Sequence, residues 1–194
     1  MKNLIQIGLL FIFVSVAVSA PSLNIVSDST WKSNGQLESG YTNPGFDDSG
    51  WSSTIIKSYP YPPQNWIPDT IARHMWHSDV SDLHVYMRKT FTLSNDVASA
   101  VVYLRGDDGF NFYVNGTLVD SYSSSPWGYL HTVDISSYLQ QGENVFAVEA
   151  WDVITINRSM VVDARINIVP VPGSLVLGAI GTVLIKTASC KRKT

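Results

Sequence analysis

In 194 residues the chain carries 13 Lys and Arg against 16 Asp and Glu, a formal net charge of −3. Lys2, Lys186, Lys191, Arg192 and Lys193 lie in the two terminal segments, so residues 21–170 hold eight basic and sixteen acidic side chains, a net of −8. Such a middle is repelled by phosphate backbones, which excludes nucleic acid as a natural partner, and about 150 residues suffice for one domain with a real core. Cys190, the one cysteine, stands in the C-terminal segment, so the middle has no disulfide to lean on.

Residues 1–20 read as a secretory signal peptide. Lys2 precedes an apolar run from Leu4 to Val18, interrupted by Gln6, Gly8 and Ser15 and followed by Ser19 and Ala20. The run is short for a membrane span. Cleavage after Ala20 leaves Pro21 beside the cut, where it hinders a peptidase, so cleavage after Ala17 is the alternative.

The middle reads as strands. Leu83, Val85, Met87, Phe91 and Leu93 alternate with His84, Tyr86, Arg88, Thr90 and Thr92, with Lys89 as the exception, at an edge or paired with a carboxylate. Val97 to Arg105 is a more continuous apolar run, as expected of an inner strand. Phe110, Phe112 and Val114 alternate with Asn111, Tyr113 and Asn115, and Asn115-Gly116 closes a hairpin into Thr117-Leu118-Val119. Leu130 to Ile135, Asn144 to Trp151 and Met160 to Ile168 continue the series, the last with Val162, Ala164, Ile166 and Ile168 on one face. Turns are expected at Asp107-Asp108-Gly109, at 123–126 and at Gln141-Gly142-Glu143, with one helical turn over 136–139. Regularly spaced short strands predict an all-β fold, an antiparallel β-sandwich.

From Ile168 to Ile185 no residue is charged, and Lys186 and Lys191-Arg192-Lys193 follow. A helix from Gly173 to Cys190, with Lys186 snorkelling, is about 27 Å long against a hydrocarbon core of about 30 Å. The reading is a short C-terminal transmembrane helix with its basic end cytoplasmic.

Two resemblances add to this. Val169-Pro170-Val171-Pro172-Gly173, the apolar 174–185 and the basic cluster are similar to PEP-CTERM sorting signals of bacteria and some archaea. Val171 replaces the signature glutamate and Lys186 interrupts the run, so a permanent single-span anchor is the alternative to transpeptidase processing. Phe46-Asp47-Asp48-Ser49-Gly50-Trp51, Tyr86-Met87-Arg88-Lys89-Thr90-Phe91, Gly106-Asp107-Asp108-Gly109-Phe110 with Tyr113-Val114-Asn115-Gly116, and Asp134-Ile135 with Gly142-Glu143-Asn144-Val145 stand in that order. Together they resemble the galactose-binding-like jelly-roll domains that accompany β-galactosidases and β-glucuronidases. The resemblance implies a jelly-roll sandwich over 21–169, between the signal (1–20) and the sorting segment (170–194). It also implies an exported, non-catalytic module at the cell surface, binding glycans or extracellular matrix. The alternative is a structural surface or envelope protein acting through self-association.

Candidate site residues follow from side-chain chemistry. Neighbouring carboxylates in an extended chain diverge, so neither Asp47/Asp48 nor Asp107/Asp108 makes a general acid and base pair. Asp before Gly or Ser in a turn caps backbone N–H groups, although the Asp47, Asp48 turn with nearby carbonyls is a candidate Ca2+ site. His74, His77, Asp79 and His84 are read as loop side chains rather than zinc ligands. No nucleophile elbow, phosphate loop or dinucleotide fingerprint occurs, so no enzyme activity is expected. An aromatic plane stacks on the C–H face of a sugar while nearby polar groups bind its hydroxyls. On that logic Trp66, Trp76 and Trp127, with Asp107 and Asp108, are the ligand-binding candidates, and Trp31 and Trp51 plug the ends of the sandwich.

Overall fold

The computed structural model describes residues 21–58, 60, 62–79, 81–123, 129–153 and 158–170. The expected signal peptide, the apolar and basic tail, and Trp127 lie outside the described residues. Among the described residues no helix is long and apolar enough to cross a membrane.

Twelve strands are described: β1 (Ser22–Val26), β2 (Lys32–Asn34), β3 (Ser52–Ser53), β4 (Ile55–Ile56), β5 (Met75–Trp76), β6 (His84–Leu93), β7 (Val97–Asp107), β8 (Gly109–Val114), β9 (Thr117–Ser123), β10 (His131–Asp134), β11 (Gly142–Trp151) and β12 (Ser159–Ile168). They form two antiparallel sheets. One runs β10-β7-β12-β5-β4, with β1 also paired to β12; the other runs β3-β2-β6-β11-β8-β9. From β6 onward the chain changes sheet at every connection except the β8–β9 hairpin. That hairpin turns at Asn115 (φ 50°) and Gly116 (φ 85°), the left-handed pair expected of an Asn-Gly turn.

The two inner faces meet in one core. Val85, Met87, Phe112, Phe146 and Val148 from the second sheet pack on Val102, Leu104, Val162, Ala164 and Ile166 from the first. Phe146 lies 4.7 Å from Phe91 and 5.3 Å from Phe112, ring centre to ring centre. Each such side chain contributes about 1.5–3 kcal/mol on burial. Trp31 is part of this core, its indole N–H donating to the Val26 carbonyl at 2.8 Å.

Three details differ from the periodicity. β7 is an interior strand of its sheet, yet its residues alternate between buried and half-buried. β12 is covered on both sides, because Ile67 and Ala72 pack over Val161 on its outer face. Lys89 lies just past the last residue of β6 that pairs with β2, and its ammonium meets the Thr30 hydroxyl rather than a carboxylate.

Candidate functional site

The outer face of the second sheet is divided into a covered part and an open part. Covering begins with Arg88, 1% exposed, which points outward from β6 into the segment between β2 and β3. Its guanidinium donates to the carbonyls of Tyr41, of Asn43 at 3.2 Å and of Phe46 at 3.4 Å, and through Nε to Asp48 Oδ2 at 3.0 Å. Its Cζ also sits 4.9 Å from the Phe46 ring centre. Tyr41 and Trp51 then pack on Tyr86 and Ala147 to make a second, smaller core outside the sheet. Trp51 belongs to this outer layer and not to an end of the sandwich.

This arrangement explains two of the sequence motifs as one structural unit: the Phe46–Trp51 turn is the clasp and Arg88 is what it closes on. It also settles what the turn carboxylates touch. Asp48 faces the guanidinium, and Asp47 Oδ1 accepts from the Ser49 amide at 3.0 Å. Hydrogen bonds from Ser49, first from its side chain and then from its backbone, hold the Asp47 carboxyl below the usual range. Both are used here as turn and ion-pair groups. Among the described residues no group of three or more His, Cys, Asp or Glu converges to hold a metal ion. The later motifs are structural too: Asn144 Oδ1 accepts from Asn115 Nδ2 at 2.8 Å, and Asn115 Oδ1 accepts from the Val145 amide at 2.9 Å.

The ligand candidates named from sequence scatter. Trp76 is wholly buried in the main core, with its indole N–H on the Asp82 carbonyl at 3.2 Å, so it offers no face to a ligand. Trp66 is half-buried on the other sheet, the Arg105 guanidinium 3.6 Å from its ring centre and the His74 ring edge-on to it. Asp108 is buried; its amide donates to the Trp151 carbonyl and its Oδ2 accepts from the Val153 amide at 2.7 Å. These two bonds hold the end of β11, and Asp108 Oδ1 is buried without a hydrogen-bond partner. Asp107 ends β7, and Trp127 lies outside the described residues.

What the structure does bring together is a set of outward residues on the open part of the face. Register places His84, Trp151, Gly109 and Ser123 in one cross-strand row, and Tyr86, Glu149, Asn111 and Ser121 in the next. A Cβ at Gly109 would meet the Trp151 indole at 2.4–2.5 Å, so only glycine lets the ring lie against the β8 backbone. The His84 ring, half-exposed, stands 5.7 Å from the Trp151 ring at 62° and stacks 5.5 Å from Tyr86.

Beside the indole the polar groups form one chain. Ser121 Oγ donates to Asn111 Oδ1 at 2.8 Å, and Asn111 Nδ2 donates to Glu149 Oε2 at 2.8 Å. His84 Nε2 lies 2.8 Å from Glu149 Oε1 and must be the donor, since an ionised carboxylate only accepts. Tyr41, Tyr86 and Tyr113 all feel the charge of the same carboxylate. Burial, and then the Glu149 charge, push all three phenols above their ordinary value. They stay protonated as neutral donors and acceptors.

A second feature is a polar groove of about 270 Å3 beside β2 and β3, lined in part by Glu38, Asp47, Trp51 and His77. Glu38 Oε1 accepts from Asn34 Nδ2 at 2.6 Å and from the Trp51 indole at 2.7 Å. Ser33 Oγ lies 2.9 Å from His77 Nδ1, and His77 Nε2 lies 3.6 Å from Asp82 Oδ2. The Ser, His, Asp order is not a nucleophile: Ser33 is buried within β2, and 3.6 Å is too long for the hydrogen bond that orients a catalytic imidazole.

Fold and surface define an all-β antiparallel sandwich whose described residues bear an aromatic and polar patch on one sheet. No protein-family model and no curated protein matches the chain. Similar solved structures include a β-glucuronidase from Bacteroides uniformis, 16% identical over 74% of this chain and 18% of that one, with a TM-score of 0.45. A β-glucuronidase of glycoside hydrolase family 2 is 16% identical over 77% of this chain and 18% of that one, with a TM-score of 0.48. A glycosyl hydrolase family 2 member from Bacteroides cellulosilyticus is 18% identical over 73% of this chain and 20% of that one, with a TM-score of 0.45. The chain thus spans about a fifth of the length of these structures.

Proposed function

We propose that the chain is an exported, non-catalytic β-sandwich module that binds carbohydrate or glycan-rich matrix through the open part of the second sheet. The observation that carries this is the Trp151 indole laid on Gly109 beside the Ser121, Asn111, Glu149, His84 hydrogen-bond chain. A sugar has an apolar C–H face and a hydroxyl edge, and the patch offers an aromatic surface and fixed polar groups side by side. Because the polar groups already hold one another in place, little side-chain freedom is lost when a ligand arrives. The sorting-signal character of residues 170–194 and the signal character of 1–20 support a place at the cell surface, with the basic end on the cytoplasmic side of a membrane.

The test is retention of the full chain on a glycan array, compared with Trp151→Ala. Losing the stacking surface removes about 1.5–3 kcal/mol, so retention falls about tenfold or more. A wild-type chain that binds no glycan, and instead self-associates at micromolar concentration, would sink this reading in favour of a structural envelope protein.

A further inference from the structure

Resting on the carbohydrate reading of the Trp151 patch, we infer that the patch selects uncharged sugar residues bearing two adjacent hydroxyls and rejects uronates. The determinant is Glu149. A carboxylate has about four lone-pair positions. His84 takes one on Oε1 and Asn111 takes one on Oε2, each at 2.8 Å. One acceptor position therefore remains on each oxygen. Two hydroxyl donors on neighbouring ring carbons match two acceptor oxygens on one carboxylate, and hydrogen bonds to an ionised acceptor are the stronger kind.

A uronate would bring a second carboxylate to the same place and need a cation to offset it. The cations that register and ion pairs bring to this face are already engaged, and His84 spends its Nε2–H on Glu149 itself. Arg88 is buried under the clasp segment, Lys32 donates to the Trp51 carbonyl at 3.4 Å, and Arg158 pairs with Asp152 at 2.8 Å. The net −8 of residues 21–170 adds a long-range field of the same sign. Asn111 cannot replace the missing cation because its amide is neutral, and one of its two N–H groups is already donated to Glu149.

The experiment measures retention of the full chain on neutral galactan, mannan and glucan and on polygalacturonate and alginate, at one ionic strength. Wild type is expected to be held by at least one neutral polymer and about tenfold less by either polyuronate. Glu149→Gln keeps the shape and removes the charge; it weakens neutral binding and brings the neutral-to-uronate ratio to within about twofold of unity. Asp134→Asn removes one charge from a distant turn, where Asp134 Oδ1 accepts from the Ser136 amide, and should leave the ratio as in wild type. Near-ultraviolet circular dichroism checks that both variants are folded, and the wild-type ratio needs no variant at all. Uronate retention equal to neutral retention in wild type overturns the selectivity. So does an unchanged ratio in Glu149→Gln, or an equal shift in Asp134→Asn. In each of these cases loss of binding in Trp151→Ala would leave the carbohydrate reading standing. Retention on no polymer overturns that reading and the selectivity with it.

Discussion

The same sheet face is built in two ways. Over Arg88, Ala147 and Tyr113 it is roofed by the segment between β2 and β3, and every polar atom of the guanidinium fork that points there finds a carbonyl or Asp48. Two residues further along each strand, at Glu149 and Asn111, and then at His84 and Trp151, the polar and aromatic groups turn to one another and remain partly exposed, beside the buried Tyr86 and Gly109. A buried cation that reaches four loop groups is a fastener, whereas an indole and a carboxylate held at a surface are available to a partner. The difference teaches that motif strength and surface exposure separate in this fold: the most recognisable residues are in the fastener.

That contrast can be broken at several points. The largest effect is expected from Arg88→Met, which strands the buried side of Asp48 and three loop carbonyls; removing one partner of a buried pair costs about 3–5 kcal/mol. Urea denaturation should show it as a lower midpoint, while Trp151→Ala should move the midpoint far less and lower glycan retention about tenfold or more. A midpoint unchanged in Arg88→Met would mean that the segment is held by its aromatic contacts alone.

Next comes Gly109→Ala. Its Cβ would meet the indole at 2.4 Å, and overpacking of that kind costs about 1–3 kcal/mol. The variant should alter tryptophan fluorescence and lose glycan retention together. Retention intact with the fluorescence changed would show that the indole's position does not matter.

Alkaline pH gives a smaller effect. Tyr41, Tyr86 and Tyr113 have phenols raised above the ordinary 10.0 by burial and by Glu149. In the unfolded chain they ionise near the ordinary value, so their contribution to stability is complete below it. It is lost as pH rises from there towards the folded-state values. Phenolate absorbance should therefore show tyrosines that titrate late, or only with unfolding, and the melting temperature should fall above pH 10.0. Three tyrosines that titrate normally would mean that the clasp opens readily.

The smallest effect is expected from calcium. With Asp48 committed to Arg88 and Asp47 to the Ser49 amide, adding the ion or a chelator should leave the melting temperature of the full chain unchanged. A rise on adding calcium would restore the Asp47, Asp48 turn as an ion site.

Much of the frame was legible before any coordinates. β6, β8 and β12 announce themselves by alternation, because the side chains repeat every second residue, and β11 by its apolar run between turn residues. Asn115-Gly116 was equally plain, since few residue pairs accept two positive φ angles. β2, β3, β4 and β5 were not legible, being two or three residues long, too short for any period to register. Trp76 and Trp151 show the same limit for the site. Each is a tryptophan between one apolar and one polar neighbour in sequence, yet one is wholly buried and the other partly exposed on a sheet.

By itself, then, the sequence determined the strand-rich class, the inward faces of the long strands and the acidic character of residues 21–170. These are local or additive properties, and alternation and charge can be read without knowing any partner. Only the tertiary structure decided which outward residues meet. Glu149 lies 38 residues from Asn111 and Asp48 lies 40 from Arg88; strand register closes the first separation to 2.8 Å, and the landing of the segment between β2 and β3 closes the second to 3.0 Å. The inward side chains are labelled by their hydrophobicity, but the outward ones carry no such label. Whether an outward residue is roofed or open is set by where a distant segment lands.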